Sequence, residues 1–217
     1  MVNLPVVDDK IPTKRKILSY TLDLFATKGY TETSVRDIAT AVGVKSASLY
    51  NHFTSKEDIL KFMLDDFDAR TKNIYNNTDM QEILQKNPTV FGVMSCLQVI
   101  FSVLSDEYYY KVLHVLYQEQ HRNTIVRNSI AKVILETEDY IEKIFDVLVN
   151  LNVMRQDAKP DFWKKVTTSL FYAFQNRMML GFGDDSSDYT GLKLKELLYC
   201  LFEMAFKMYS VTGNKAD

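Results

Sequence analysis

The sequence predicts an all-α fold, and three observations lead to this prediction. Only seven glycines and four prolines occur in 217 residues, and these are the residues that most often interrupt regular structure. Hydrophobic residues make up 47% of the chain, which is enough to form a packed core. No stretch sustains the polar and apolar alternation that is typical of strands.

Residues 34–53 predict two short helices joined by a tight turn. Ser34 is suited to the N-cap of the first helix, because its hydroxyl oxygen can accept a free backbone N–H of the first turn. Gly43 is suited to the end of that helix, because glycine adopts the left-handed conformation at little cost. The apolar side follows the spacing i, i+3, i+4, i+7 and consists of Val35, Ile38, Ala39 and Val42.

The second of these helices is predicted to start near Lys45 or Ser46, with Leu49 and Phe53 as its inward anchors. Its other side chains are small, polar or basic and are predicted to face outward. A short helix with such an outer face suits the major groove of DNA. The outward residues are Lys45, Ser46, Ser48, Asn51 and His52, with Tyr50 partly outward.

Residues 12–60 resemble the DNA-binding domain of the TetR (tetracycline-repressor) family of bacterial transcription regulators. The family pattern is an amphipathic helix ending in F-x-x-x-G-Y/F, followed by T-[ST]-[VM]-x-x-I-A, by G-V-[ST]-x-x-x-[LI]-Y-x-[HY]-F and by x-x-K-E-x-L. These parts occur in order and without gaps in KILSYTLDLFATKGYTETSVRDIATAVGVKSASLYNHFTSKEDIL. Lys45 departs from the pattern, since many relatives carry serine or threonine there, and this bears on the DNA sequence that is read rather than on the fold.

The resemblance implies a DNA-binding regulator, usually a repressor, that works as a homodimer on a palindromic double-stranded operator and responds to a small-molecule effector. Arg36 can contact a guanine edge or a phosphate. Tyr50, His52 and Lys56 can donate hydrogen bonds to phosphates, although both rings can instead serve to pack the domain. The predicted DNA-binding residues are Arg36, Lys45, Ser46, Ala47, Ser48, Tyr50, Asn51, His52 and Lys56.

The chain is predicted to divide into two domains. Residues 1–55 form the helix-turn-helix DNA-binding domain, which begins with a loose arm over residues 1–11 and a helix that Gly29 ends. Residues 56–217 form a larger helical domain for effector binding and dimerisation. Its helices are predicted at about 56–75, 79–86, 89–104, 106–121, 124–152, 161–180 and 191–211, with a polar loop at 181–191 and a polar tail.

The formal net charge of −2 argues against a non-specific binder of polyanions, which is usually basic. A specific DNA reader needs positive charge on one face only. Nearby acidic residues nearly balance the basic ones in the first quarter of the chain, so a basic surface must come from their arrangement in space. These basic residues are Lys14, Arg15, Lys16, Lys28, Arg36, Lys45 and Lys56.

An enzyme is the rival class of protein, and the sequence lacks the motifs that would support it. There is no GxSxG, GxxxxGK[ST] or GxGxxG, so nucleophilic catalysis and phosphate binding have no recognisable site. His114 and His121 are seven positions apart, about 10 Å along a helix, which is too far for a chelating pair. Without CxxC or HxxxH, no metal site and no cofactor are predicted.

An effector cavity is predicted between the helix at 106–121 and the helix at 161–180. Aromatic residues with polar tips recur along one face of the first helix, and the second helix mixes methionine and aromatic residues, which adapt to irregular cavities. The alternative is that these rings only pack against neighbouring helices. The predicted lining, which favours a mostly apolar effector, is Phe101, Tyr110, His114, Tyr117, Tyr172, Gln175 and Met179.

The last two helices are apolar over more than one stripe, which often marks a contact between subunits. In the TetR family the last two long helices of each subunit form a four-helix bundle with those of the partner. The predicted dimer residues are Phe162, Val166, Leu170, Leu194, Leu198, Leu201, Phe202 and Ala205.

Two further properties are predicted from the sequence. Cys96 and Cys200 lie in apolar helical surroundings and are expected to be buried, reduced thiols. No signal peptide or membrane span is visible, which predicts a cytoplasmic protein without membrane contact. A regulator that acts without an effector, or under the control of a protein partner, remains an alternative to the effector-controlled repressor.

Overall fold

The computed structural model describes residues 13–104, 106–158, 160–179 and 191–211. Over these ranges the chain is helical, with an isolated bridge between Met154 and Ser210 as its only β-type pairing. The all-α prediction is therefore confirmed. The predicted arm, the loop over residues 181–190 and the polar tail lie outside the described residues. The helices are α1 Thr13–Lys28, α2 Val35–Val42, α3 Ser46–Tyr50, α4 Lys56–Asn76, α5 Met80–Lys86, α6 Val90–Leu104, α7 Glu107–Glu119, α8 Thr124–Asn150, α9 Pro160–Met179 and α10 Gly191–Tyr209.

The first three helices form a small head around a common apolar centre. Phe25 of α1, Ile38 of α2 and Leu49 of α3 are almost fully buried there. Gly29 and Gly43 follow the ends of α1 and α2 with φ values of 89° and 79°. This is the left-handed region in which other residues are strained, so both predicted helix ends are confirmed.

Helix α4 connects the head with the rest of the chain. Its first half packs Ile59, Leu60 and Met63 into the head, and Phe67 one turn later meets Tyr109 of α7 edge to face. One continuous cluster of buried residues therefore runs from α1–α4 into α7 and the start of α8. The predicted boundary between residues 55 and 56 does not coincide with a gap in packing.

A second cluster of buried residues unites α5, α6, α8, α9 and α10. Phe145 of α8 and Phe202 of α10 meet at its centre, with ring centroids 5.9 Å apart. Tyr140 of α8 donates a hydrogen bond to the Cys96 carbonyl of α6 at 2.7 Å. The larger domain is thus held by packing between helices that are far apart in sequence.

Helix α10 carries two apolar stripes, and the structure shows which of them faces inward. Four predicted dimer residues belong to the inward stripe and are buried in the subunit's own core: Leu194, Leu198, Phe202 and Ala205. They are not available to a partner chain, so the prediction for these four is corrected. The outward stripe consists of Leu197, Cys200, Met204 and Met208, with Leu201 half-buried at its edge. On α9, Phe162 is exposed, whereas Val166 and Leu170 are half-buried.

The two cysteines differ in their surroundings. Cys96 is buried, and burial raises the pKa of its thiol to about 11. Cys200 is exposed on the outward stripe of α10, so the expectation that both thiols are buried is wrong for this residue.

Among the described helices, none is long and apolar enough by itself to span a membrane. The segments Val90–Ser102 and Glu107–Glu119 reach that length and composition only together, and they meet at an angle of 74°.

Candidate nucleic-acid interface and core cavity

The turn before α2 is fixed by a capping box, in which a side chain and a backbone bond each other reciprocally. The backbone N–H of Asp37 donates to Ser34 Oγ at 3.1 Å, and the backbone N–H of Ser34 donates to Asp37 Oδ2 at 2.7 Å. Lys28 Nζ also donates to Asp37 Oδ2, at 2.8 Å. Hydrogen bonds from Lys28 and then from Ser34 hold the pKa of Asp37 well below its usual range.

We expect Ser34→Ala to lower the free energy of unfolding by about 1 kcal/mol, because the substitution leaves the first turn of α2 without its cap. Urea denaturation followed by circular dichroism measures this change. Ser48→Ala is the matched control, because Ser48 is exposed on α3 and caps no helix. Equal stability of the two variants would contradict a structural role for the cap.

Helix α3 is anchored from below by Leu49 and Phe53, which are 1% and 2% exposed. This buried pair turns the opposite side of the helix to the solvent, as the sequence predicts, and Tyr50 is 53% exposed there. Of the nine residues predicted to contact DNA, Ser46 and Lys56 are half-buried. The other seven are exposed: Arg36, Lys45, Ala47, Ser48, Tyr50, Asn51 and His52.

Lys56, at the start of α4, has an internal role that the sequence does not reveal. Its Nζ donates to the carbonyls of Tyr30, Thr31 and Thr33 at 2.6, 3.3 and 2.8 Å, and it lies 4.3 Å from the centre of the Tyr30 ring. Burial lowers the pKa of Lys56, and the nearby Glu119 of α7 opposes that shift. The ammonium group thus ties the α1–α2 turn to α4.

A small cavity lies between α4, α6, α7, α8 and α9 in the larger domain. Its volume is about 40 Å³, far below that of a typical ligand pocket. Tyr172 and Gln175 line it as predicted. The rest of its lining comes from residues that the sequence did not single out: Phe67, Thr71, Tyr75, Ile100, Leu113, Val133, Ile134, Thr137, Thr168 and Phe171.

The other residues predicted to line the cavity lie elsewhere. Tyr110 is 42% exposed and stacks on His114, on the outer side of α7. Phe101 is buried beside Phe171, behind the cavity wall. Tyr117 reaches the wall only through Gln175, and the Met179 side chain lies outside the described part of the chain. Phe101, Tyr110, His114 and Tyr117 are therefore not among the residues that line this cavity, although Tyr117 bonds Gln175 of its wall.

Helix α7 connects the cavity wall with the head. On one side, Tyr117 donates to Gln175 Oε1 at 2.9 Å, and Gln120 just beyond the helix accepts a hydrogen bond from Tyr172 at 3.1 Å. On the other side, Lys111 donates to Asp23 of α1 at 2.6 Å. A shift of α9 against α7 would therefore be transmitted directly to α1.

A larger groove of about 880 Å³ opens on the surface beside the end of α4, the start of α5 and α8. Tyr75 of α4 lines both this groove and the core cavity. Its ring stacks on Tyr140 at 4.6 Å, and its hydroxyl lies 3.4 Å from Thr137 Oγ1. Tyr75 therefore belongs to the lining of both the surface groove and the core cavity.

A short outward helix held on a three-helix head is the architecture of a helix-turn-helix domain. The family model for "Bacterial regulatory proteins, tetR family" matches residues 17–63, which run from α1 into α4. The HTH-type transcriptional repressor KstR2 of Rhodococcus jostii (strain RHA1) is 42% identical over 77 residues, or 32% of this chain. The match spans 38% of KstR2, so this chain covers less than half of that curated relative.

The whole fold also matches solved structures. A TetR-family transcriptional regulator from Mesorhizobium loti MAFF303099 superposes with a TM-score of 0.70 at 20% identity, over 92% of this chain and 97% of that one. The SmeT–triclosan complex superposes with a TM-score of 0.65 at 17% identity, over 93% of each chain. The head thus matches the family model of the TetR regulators over residues 17–63, and the whole fold is similar to that of solved TetR-family regulators.

Proposed function

We propose that the protein is a homodimeric repressor that binds a palindromic operator and is released from it by a small, mostly apolar effector. The observation that carries this proposal is the position of α7, which reaches the wall of the core cavity through the hydrogen bond of Tyr117 to Gln175 and reaches the head through Lys111. Binding in the cavity and the placement of the reading heads are then coupled through one helix. Helix α4 shares this role, because it starts in the head and lines the cavity with Phe67 and Thr71.

The outward stripe of α10 supports the dimer. Leu197, Met204 and Met208 are each more than half exposed, and Phe162 of α9 adds to the apolar surface. A two-fold contact through this surface would place two copies of α3 on the same side of the dimer, as a palindromic operator requires. The proposed contact residues are thus Phe162, Val166, Leu170, Leu197, Leu201, Met204 and Met208.

The proposed DNA contacts are the exposed residues around α3. Lys45, Ala47, Ser48, Asn51 and His52 face outward on or beside the recognition helix. Tyr50 and Arg36 flank them, and Ser46 contributes at the start of the helix. Side chains of this kind can pair with base edges and phosphates in a major groove.

A ligand in a related structure supports an effector, since SmeT was solved as a complex with triclosan. In the present chain the cavity is almost closed, so an effector must enlarge it by moving the helices of its wall. Because α4 and α7 belong to that wall, the enlargement would change the separation of the two heads. The operator-bound and effector-bound states would then exclude each other.

The test is reciprocal linkage. If an effector weakens operator binding by some factor, operator DNA must weaken effector binding by the same factor. Fluorescence anisotropy of a labelled operator and calorimetry of the effector, each with and without the other ligand, give the two factors. Equal effector affinity in the presence and absence of operator would remove the allosteric part of the proposal.

A second candidate is a regulator that acts without an effector or under a protein partner. The 40 Å³ volume of the core cavity favours it, because the described wall leaves room for little more than water. The linkage measurement separates the two, since this candidate predicts operator binding that no small molecule changes.

A further inference from the structure

We infer that the core cavity selects an uncharged ligand that carries a hydroxyl or carbonyl oxygen on a small apolar body. This inference rests on the proposed function, because it names the class of molecule that would act as effector. It is carried by the polar atoms of the cavity wall.

Thr168 of α9 supplies the first of these atoms. Its side chain is 5% exposed, it lines the cavity, and its Oγ1 has no hydrogen-bond partner among the described residues. Buried threonines in helices usually bond the carbonyl four residues earlier. Thr71 and Thr137, in the same wall, do so at 2.9 and 2.8 Å. The Thr168 hydroxyl is therefore left to whatever occupies the cavity.

Gln175, two turns further along α9, supplies the second polar group. Its Oε1 already accepts the hydrogen bond from Tyr117. This bond orients the amide and leaves Nε2 as the donor end of the Gln175 side chain. Thr168 and Gln175 are seven positions apart, about 10 Å along α9, so an oxygen atom of a ligand can pair with Thr168 Oγ1 or accept from Gln175 Nε2.

The wall also argues against charged ligands. None of the described residues that line the cavity is acidic or basic. A carboxylate or an ammonium group would have to enter without a counter-ion, at a cost of several kcal/mol, whereas a hydroxyl or carbonyl needs only the hydrogen bonds that the wall offers.

The groove on the other side of Tyr75 adds an independent reason against anions. Four carboxylates line it, those of Asp79, Glu136, Asp139 and Asp146, against two lysines, Lys72 and Lys143. A molecule that reaches the cavity past Tyr75 must first cross this negative surface, where an anion is repelled.

The ligand must also be small, because the cavity measures about 40 Å³ in this state. The apolar part of the wall, with Ile100, Val133 and Phe171, gains contacts with each carbon that enters. A single ring with a short chain is therefore a suitable probe, large enough to require movement of the wall and small enough to be enclosed.

Four probes that share a propylphenyl body test the inference: 4-propylphenol, propylbenzene, 4-propylbenzoate and 4-propylbenzylamine. They are titrated into the full chain, without DNA and at neutral pH, by isothermal titration calorimetry. We expect 4-propylphenol to bind most tightly and propylbenzene about 3- to 10-fold more weakly, which is the contribution of one or two hydrogen bonds. The two charged probes are expected to bind at least about 100-fold more weakly than 4-propylphenol.

Thr168→Val measures the contribution of the Thr168 hydroxyl to ligand binding. We expect this substitution to lower the affinity for 4-propylphenol about 3- to 10-fold and to leave the affinity for propylbenzene unchanged. Thr71→Val is the matched control, because the Thr71 hydroxyl is already bonded within α4, and its effect on 4-propylphenol should be smaller. The midpoint of thermal unfolding checks that both variants fold, and Thr168→Val is expected not to lower it.

A charged probe that binds as tightly as 4-propylphenol would overturn the inference, and so would the failure of all four probes to bind. An equal loss of 4-propylphenol and propylbenzene binding in Thr168→Val would also overturn it. The measurement needs no operator. Binding in the expected order without release of DNA would therefore refute the proposed function and leave the ligand class standing.

Discussion

Met204→Glu is expected to separate the dimer into monomers and to lower operator affinity more than 100-fold. Met204 is 55% exposed at the middle of the outward stripe of α10, between Leu197 and Met208. In a two-fold contact the new carboxylate is desolvated once in each subunit, among the apolar side chains of the outward stripe. Loss of the dimer removes the joint binding of two half-sites, which supplies most of the operator affinity.

Sedimentation velocity measures the change in mass, and Cys200 provides a second readout. Cys200 lies on the same stripe, so a dimer should protect it from alkylation and Met204→Glu should restore its reaction. Cys96 is buried with a raised pKa and should stay unreactive in both proteins.

Leu135→Glu is the matched control for this substitution. Leu135 is 60% exposed on α8, which contributes no residue to the proposed dimer contact, so the same kind of change should leave both the mass and the operator affinity unaltered. An unchanged dimer in Met204→Glu would place the subunit contact on another face.

Lys56→Met is expected to lower the free energy of unfolding by about 2 kcal/mol and to weaken binding to every DNA sequence. Methionine keeps the aliphatic stem beside Tyr30 but leaves the carbonyls of Tyr30, Thr31 and Thr33 without their donor. These carbonyls precede α2, so their release loosens the turn that sets α2 and α3 against α4.

The alternative is that Lys56 contacts only a phosphate, which predicts unchanged stability and a salt dependence reduced by about one unit of slope. Urea denaturation and operator affinity against salt concentration distinguish the two roles. Lys45→Met is the control, since Lys45 is exposed and makes no capping hydrogen bond with its side chain. It should lower the salt slope and leave stability unchanged. Full stability of Lys56→Met would refute the internal role.

The head could be predicted from the sequence because its signals are local. A serine at the start of a helix, a glycine at its end and an i, i+3, i+4, i+7 stripe each depend only on neighbours along one helix. The structure confirms Ser34, Gly43 and Leu49 in these roles.

The larger domain could be predicted less well, because its signals depend on contacts between distant helices. In α10, the stripe through Leu198 and Phe202 and the stripe through Leu197 and Met204 are both apolar. Helical spacing shows that two stripes exist but does not show which one the subunit buries. Likewise the threonines of the cavity wall are spread over α4, α8 and α9, and nothing in one helix reveals that they meet.

The hydrogen bonds of Lys56 within the protein could not be predicted for a similar reason. A lysine at the start of a helix near DNA indicates a phosphate contact, and its three carbonyl partners lie more than twenty residues earlier in the chain. Only the packing of α1 and α2 on α4 brings these groups together.

The central claim is that residues 34–53 read a palindromic operator. It is tested most directly by selecting binding sites from a random duplex library with the purified full chain. The affinity for the selected site is then measured as a function of salt concentration. A dimer with α3 in successive major grooves predicts a palindromic consensus, with half-sites a helical turn or more apart, and affinity that falls steeply with salt. No enrichment at low salt, with protein stripped of ligand by unfolding and refolding, would contradict the assignment of residues 34–53 as the DNA reader.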